Sequence, residues 1–244
     1  MKKISVIVQA RMGSSRLPGK SLKKIGNDFI VEKVIKRLLL CKEVNDIIFA
    51  IPDSKKDDVL EDMLKKNNVK VSRGSEDDVL DRYYQAASSF NCDIIVRITA
   101  DCPLIDPALI DAAVGFYKKN NYDYVSNSLE RSYPRGFDCE VFSMKVLEIS
   151  WRQAKNKHER EHVTPYIYLN PDKFNIYKIT APKELLRPDY RICVDTEEDF
   201  LLIKNIFDFF GQRDNMTAHE IVKLLDERPD LVSINRHVEQ KKLV

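Results

Sequence analysis

The chain has 244 residues, a formal net charge of only +2, 43% hydrophobic and 32% charged residues. That balance suits a packed core and excludes an intrinsically disordered chain, while the near-zero net charge gives no global electrostatic case for binding nucleic acid or an anionic membrane. No run approaches the ~20 apolar residues of a bilayer span.

The apolar run 4–8 behind Lys2 and Lys3 is too short for a secretory signal. Five scattered cysteines without CxxC spacing argue against a disulfide framework or a structural zinc site. The expected location is the cytoplasm.

ISVIV (4–8) reads as a buried strand. Residues 29–40 carry Val31, Val34, Ile35, Leu38 and Leu39 at helical spacing. DIIFAI (46–51) is a second strand, and 53–66 a helix with Val59, Leu60, Met63 and Leu64 on one face. Val69 and Val71 mark a short third strand. Ser75, followed by Asp78, opens a helix with a capping-box pattern. CDIIVRI (92–98) is another buried strand, and Pro107 opens the next helix.

This alternation predicts an α/β fold in three layers, with a mostly parallel sheet. The second half is less regular. Strands are expected at 122–125, 137–142, 175–180 and 190–194, and helices over about 143–169, 196–210 and 217–225. With no repeat or linker in sight, residues 1–244 are expected to form one domain.

The first strand runs into QARMGSSRLPGK (9–20), which contains Gln9, Ala10, Arg11, Gly13, Ser14, Arg16 and Lys20. Small residues let backbone N–H groups approach a phosphate chain, arginines grip its oxygens in pairs, and lysine adds a compact charge. A loop after a parallel strand also opens at the carboxyl edge of the sheet, where α/β folds bind ligands. The loop is neither a Walker A sequence nor GxGxxG. A solvated basic turn is the alternative; three cations and two glycines so close together favour a phosphate site.

Asp101 and Asp195 each follow a predicted strand. Two carboxylates with triphosphate oxygens and water would complete an octahedral Mg2+ site. The competing role for each is a helix N-cap. His158 and His162 stand four apart, but no third metal ligand accompanies them, so Glu161-His162 is expected to stabilise the fold or a subunit contact. Asp81 and Arg82 are expected to serve structure.

At this point the sequence resembles a known family. QARMGSSRLPGK is similar to the signature loop of the CMP-sialic acid and KDO cytidylyltransferases, and most of all to that of the SpsF-type spore coat polysaccharide proteins. The agreement continues, in order, through RGSEDDVLDRYYQAA (73–87), RITADCPLIDP (97–107), YPRGFDCEVF (133–142), EHVTPYIY (161–168) and YRICVDTEEDF (190–200). Gln9 stands where the sialate and KDO enzymes commonly have Pro, and fits the SpsF-type group.

The resemblance implies a Rossmann-like nucleotide-diphospho-sugar transferase fold, CTP and a sugar-like acceptor as ligands, pyrophosphate as product, Mg2+ as cofactor, and a homodimer. It implies Mg2+ binding by Asp101 and Asp195 and catalytic roles for Arg16, Lys20 and Asp101. Arg73 would contact the cytosine or ribose, unless it belongs to a solvated charged face. An insertion near 127–180 would serve dimerisation or the acceptor, with Arg135, Asp138 and Glu140 at the acceptor, unless these form an ordinary exposed hairpin. Competing readings are a nucleotide-sugar-dependent glycosyltransferase and a catalytically silent nucleotide-binding protein.

Overall fold

The structure is a computed structural model and describes residues 2–240. Strand β1 (Ile4–Gln9) leads through a long loop to a small antiparallel hairpin, β2 (Lys24–Ile25) and β3 (Asp28–Phe29). Helix α1 (Ile30–Leu38), β4 (Asp46–Pro52), α2 (Asp58–Lys66), β5 (Lys70–Gly74), α3 (Val79–Ser89), β6 (Ile94–Thr99) and α4 (Pro107–Lys119) follow. The second half contains β7 (Tyr124–Ser126), β8 (Glu140–Ser143), α5 (Met144–Gln153), α6 (Lys157–His162), α7 (Pro165–Tyr168), β9 (Ile176–Lys178), α8 (Glu197–Phe209), α9 (Ala218–Glu227) and α10 (Pro229–Ser233).

The main sheet has the order β5-β4-β1-β6-β8-β7-β9. Strands β5, β4, β1 and β6 run parallel; β8 is antiparallel to both β6 and β7, and β9 is parallel to β7. Strand β1 is apolar without alternation because both of its faces are covered. Val6 and Val8 join a core with α1, α2 and α4, whereas Ile7 joins one with α3, α5 and α7. A third core packs α8, α9 and α10 against Ile25, Leu104 and Ile192. The result is the expected three-layer, mostly parallel α/β fold of Rossmann type.

A buried arginine ties these parts together. Arg37 is fully buried, and its guanidinium donates to the carbonyl oxygens of Ile105 (2.6 Å), Leu104 (3.2 Å), Asp214 (2.7 Å) and Met216 (2.7 Å). Burial lowers its pKa to about 10.

Several local expectations change. The helical stretch 143–169 is divided into α5, α6 and α7. Glu159 caps Asn156 at one break, and Val163, fully buried with φ 73°, bends the chain at the next. A β-branched residue in that region of φ is strained by ~1–3 kcal/mol. Residues 190–194 form no strand; they contribute one isolated bridge, Arg135 to Arg191. Helix α3 is capped by Asp78 rather than Ser75, because the Asp78 carboxylate accepts the Asp81 N–H while Ser75 Oγ accepts that of Asp78.

Candidate active site

The loop between β1 and β2 is held by its backbone. The Met12 N–H donates to Asp57 Oδ1 at 2.7 Å, and Asp57 is completely buried. The Met12 carbonyl accepts from Gly19 N–H at 3.3 Å, and Leu17 is buried in the third core. These anchors leave Ser14, Ser15 and Arg16 at the rim of a cleft also lined by Gln9, Ala10, Arg11 and Lys20. Gly13 lies away from that lining, against the Lys56–Glu76 ion pair: a Cβ there would meet Lys56 Nζ at 3.0 Å.

Asp101 and Asp195 face this loop from the other side. The Val194 N–H donates to the Asp101 carbonyl at 2.8 Å, which sets the two chain segments side by side. Neither aspartate is an N-cap. Asp106 caps α4 by accepting the Ala108 N–H, and Thr196 caps α8 by accepting that of Asp199. Both carboxylates are therefore released from helix capping and converge on Lys20, whose Nζ lies 2.8 Å from Asp101 Oδ2 and 2.9 Å from Asp195 Oδ1.

Arg16 reaches Asp195 Oδ2 at 2.9 Å, and Arg191 reaches the same oxygen at 2.6 Å. Behind them, fully buried Asp199 forks onto Arg191 and accepts the Asp195 N–H at 2.9 Å. Burial disfavours the charge on each member of the Lys20 pair, but their mutual attraction outweighs it. Lys20 is raised above its ordinary range, and Asp101 is lowered to about 2.

Behind Gln9, which lines the cleft, runs a polar chain inside the sheet. Gln9 Oε1 accepts from Arg97 Nη2 at 2.9 Å, Arg97 Nη1 pairs with Glu140 at 2.5 Å, and Tyr124 donates its hydroxyl to Glu140 at 2.9 Å. Glu140 is thus a buried sheet residue without a free oxygen for an acceptor, and it supports Gln9 instead. Asp138 pairs with Arg131. Arg135 is half-buried beside the 190–192 segment, and no side-chain hydrogen bond is formed by it among the described residues. Gly136 makes this approach possible: its φ is 118°, and a Cβ would lie 2.7 Å from the Ile192 carbonyl group.

Arg73 is not brought to the cleft. Its Nη1 pairs with Asp58 and Glu61 on α2, and its Nη2 donates to the Ser54 carbonyl. The residues that line the cleft without having been expected there include Arg82, Glu161, His162, Val79 and Thr99. Helical spacing of Arg82 gave no means of separating a cleft residue from a core one. Glu161 and His162 arrive because the break at Val163 turns the end of α6 inward, which no local pattern announces. Among the described residues no group of three His, Cys, Asp or Glu side chains could hold a metal ion, and no helix is long and apolar enough to cross a membrane.

The profile of the cytidylyltransferase family matches residues 5–244. The chain is 42% identical to an uncharacterized protein of Methanocaldococcus jannaschii, over 98% of this chain and 97% of that one. It is 35% identical to the spore coat polysaccharide biosynthesis protein SpsF of Bacillus subtilis, over 94% and 97% of the two chains. A solved structure of a cytidylyltransferase from Leptospira borgpetersenii superposes with a TM-score of 0.91 at 32% identity, covering 99% of this chain and all of that one. The match of the family profile across nearly the whole chain, with relatives aligned end to end, makes this protein a member of the cytidylyltransferase family.

Proposed function

We propose that the protein transfers the cytidylyl group of CTP to an oxygen of a sugar-like acceptor, releasing pyrophosphate, in the building of a surface polysaccharide or glycoconjugate. The observation that carries this reading is the Lys20 bridge between Asp101 and Asp195 beneath the Arg11–Arg16 loop. Cations that can turn onto phosphate oxygens stand beside carboxylates that can take up a metal. The SpsF relative supports the polysaccharide setting.

The acceptor oxygen attacks the α-phosphorus in line as the bond to the pyrophosphate oxygen breaks. Arg11, Arg16 and Lys20 bind the triphosphate and neutralise the charge that gathers on the leaving pyrophosphate. Asp199 and Arg191 keep Asp195 oriented. Arg135, whose guanidinium has no partner among the described residues, suits an anionic group on the acceptor.

Mg2+ usually takes one or two carboxylates, with substrate phosphates and water filling its shell. Asp101 and Asp195 fit that demand as hard oxygen donors gathered on one positive centre. They would hold the ion, which supplies Lewis-acid neutralisation of the triphosphate when bound.

The test is pyrophosphate release from CTP, UTP, GTP, ATP and dTTP with Mg2+ and a panel of acidic and neutral sugars, with products weighed by mass spectrometry. CTP-dependent pyrophosphate matched by a CMP-linked product is expected. Free nucleoside mono- or diphosphate from a nucleotide-sugar, with no pyrophosphate from any triphosphate, would defeat the reading.

A further inference from the structure

We infer that Arg82, rather than Arg73, distinguishes cytosine from uracil in this cleft, by donating its Nε–H and Nη2–H edge to the N3 and O2 atoms of the base. The inference rests on the CTP-dependent reading above.

Arg73 is engaged elsewhere: of its nitrogens only the buried Nε makes no hydrogen bond, and it lies 3.4 Å from Asp53. Its Nη1 lies 2.7 Å from Asp58 and 2.5 Å from Glu61, its Nη2 donates to Ser54 at 2.7 Å, and it lies outside the cleft lining. Arg82 is the reverse case. Its residue is only 2% exposed, yet it lines the cleft, as do Ala10, Arg11 and Val79.

Only one corner of the Arg82 guanidinium is used. Nη1 donates to the Ser75 carbonyl at 2.6 Å and, weakly, to that of Glu76 at 3.5 Å. Nε is buried with no hydrogen-bond partner, and among the described residues Nη2 has none and no carboxylate pairs with the group. A buried donor left unpaired is costly; Arg73 and Arg97 also carry an unpaired Nε, but of the three only Arg82 lines the cleft, where a ligand can satisfy it.

The chemistry of that edge selects a base. A guanidinium offers two parallel N–H donors in a rigid fork. Cytosine presents N3 and O2 as adjacent acceptors; uracil presents an N3–H donor beside O2, which sets donor against donor. A site built to donate here rejects the wrong base through the buried group it leaves unpaired.

The contacts set Arg82 apart from the Lys20 group. Lys20 and Arg16 bond Asp101 and Asp195, whereas Arg82 bonds neither, and the same lining includes the apolar side chains of Ala10 and Val79, suited to a flat ring. The fork is also fixed in place. A Cβ on Gly74 would lie 3.2 Å from Arg82 Cγ, so the stem packs directly on β5, and Arg160 of α6 forks onto Asp78 at 2.6–3.0 Å to hold the start of α3.

The test compares wild type, Arg82→Lys, Arg82→Gln and Arg73→Ala, each first checked for cooperative melting. Calorimetry then gives dissociation constants for CMP, UMP and inorganic triphosphate, alongside the CTP-to-UTP ratio of kcat/KM. Arg82→Lys keeps the charge and loses the fork. It is expected to lower the cytosine preference by roughly 10-fold or more, in the range of bidentate base contacts, with triphosphate binding unchanged. Arg73→Ala is expected to keep the preference.

A folded Arg82→Lys that still prefers CMP overturns the inference, as does loss of the preference in Arg73→Ala. Parallel loss of CMP and inorganic triphosphate overturns it as well, since Arg82 would then be holding phosphate. A wild-type protein with no preference for CMP over UMP defeats the CTP reading itself, whatever Arg82 does.

Discussion

The Val194 backbone N–H donates to the Asp101 carbonyl oxygen at 2.8 Å, and this contact places Asp195 next to Asp101 although 94 positions separate them in the chain. Everything proposed for the cleft depends on that proximity, since it lets one lysine reach both carboxylates.

The first prediction concerns charge. Burial disfavours ionised Asp101, but Lys20 more than offsets this and holds the carboxyl at about 2. A carboxyl lowered from its unfolded value contributes stability above about pH 4 and loses it as the pH falls toward 2; here that is roughly 2 kcal/mol. Thermal melting of wild type and Asp101→Asn should therefore show the difference in Tm moving against the wild type between those pH values. Lys20→Met should reduce kcat by on the order of 100-fold or more, the usual cost of losing one charge-stabilising donor.

Metal dependence is the second. EDTA should reduce pyrophosphate release to background, and Mg2+ should restore it. Asp195→Asn should raise the Mg2+ concentration needed for half-maximal rate. Full activity in EDTA would remove the metal from the proposal.

Asp57 supplies a third. It is buried, and its Oδ1 fixes the Met12 N–H. Asp57→Ala should free the loop, raising KM for CTP while costing ~1–3 kcal/mol from the unpaired N–H and the cavity. Asp57→Asn retains an acceptor oxygen and should recover most of the affinity. Equal KM values in all three proteins would show that this anchor does not organise the loop.

Arg37 provides a prediction about folding alone. Arg37→Met would leave the carbonyls of Leu104, Ile105, Asp214 and Met216 without its donors. The expected destabilisation is ~3–5 kcal/mol, as for other buried charged hydrogen-bond centres, measured by urea unfolding. A loss below ~1 kcal/mol would mean that water replaces the guanidinium without penalty.

Local pattern was enough for β1, α1, β4, β6 and α4, because strands covered on both faces are continuously apolar and helices covered on one face repeat every three or four residues. It was not enough where long-range contacts set the backbone. The 190–194 segment has strand composition, yet it spends its hydrogen bonds on Arg135 and Asp101 instead of on a ladder. The 143–169 segment has helical composition, yet buried Val163 breaks it at positive φ.

The loop 9–20 stood out by composition: glycines, serines and cations directly after a buried strand suit an anion. What the sequence determined by itself was therefore the order of the main elements in the first half, the cationic glycine-bearing loop and the two aspartates at segment ends. Only the tertiary structure decided that Asp106 and Thr196 take the helix caps, that Glu140 is consumed by Arg97, and that Arg73 turns outward while Arg82 lines the cleft. The reason is physical. Whether a charged side chain serves a ligand or a neighbour depends on which partners lie within about 3 Å of it, and those partners come from segments distant in the chain.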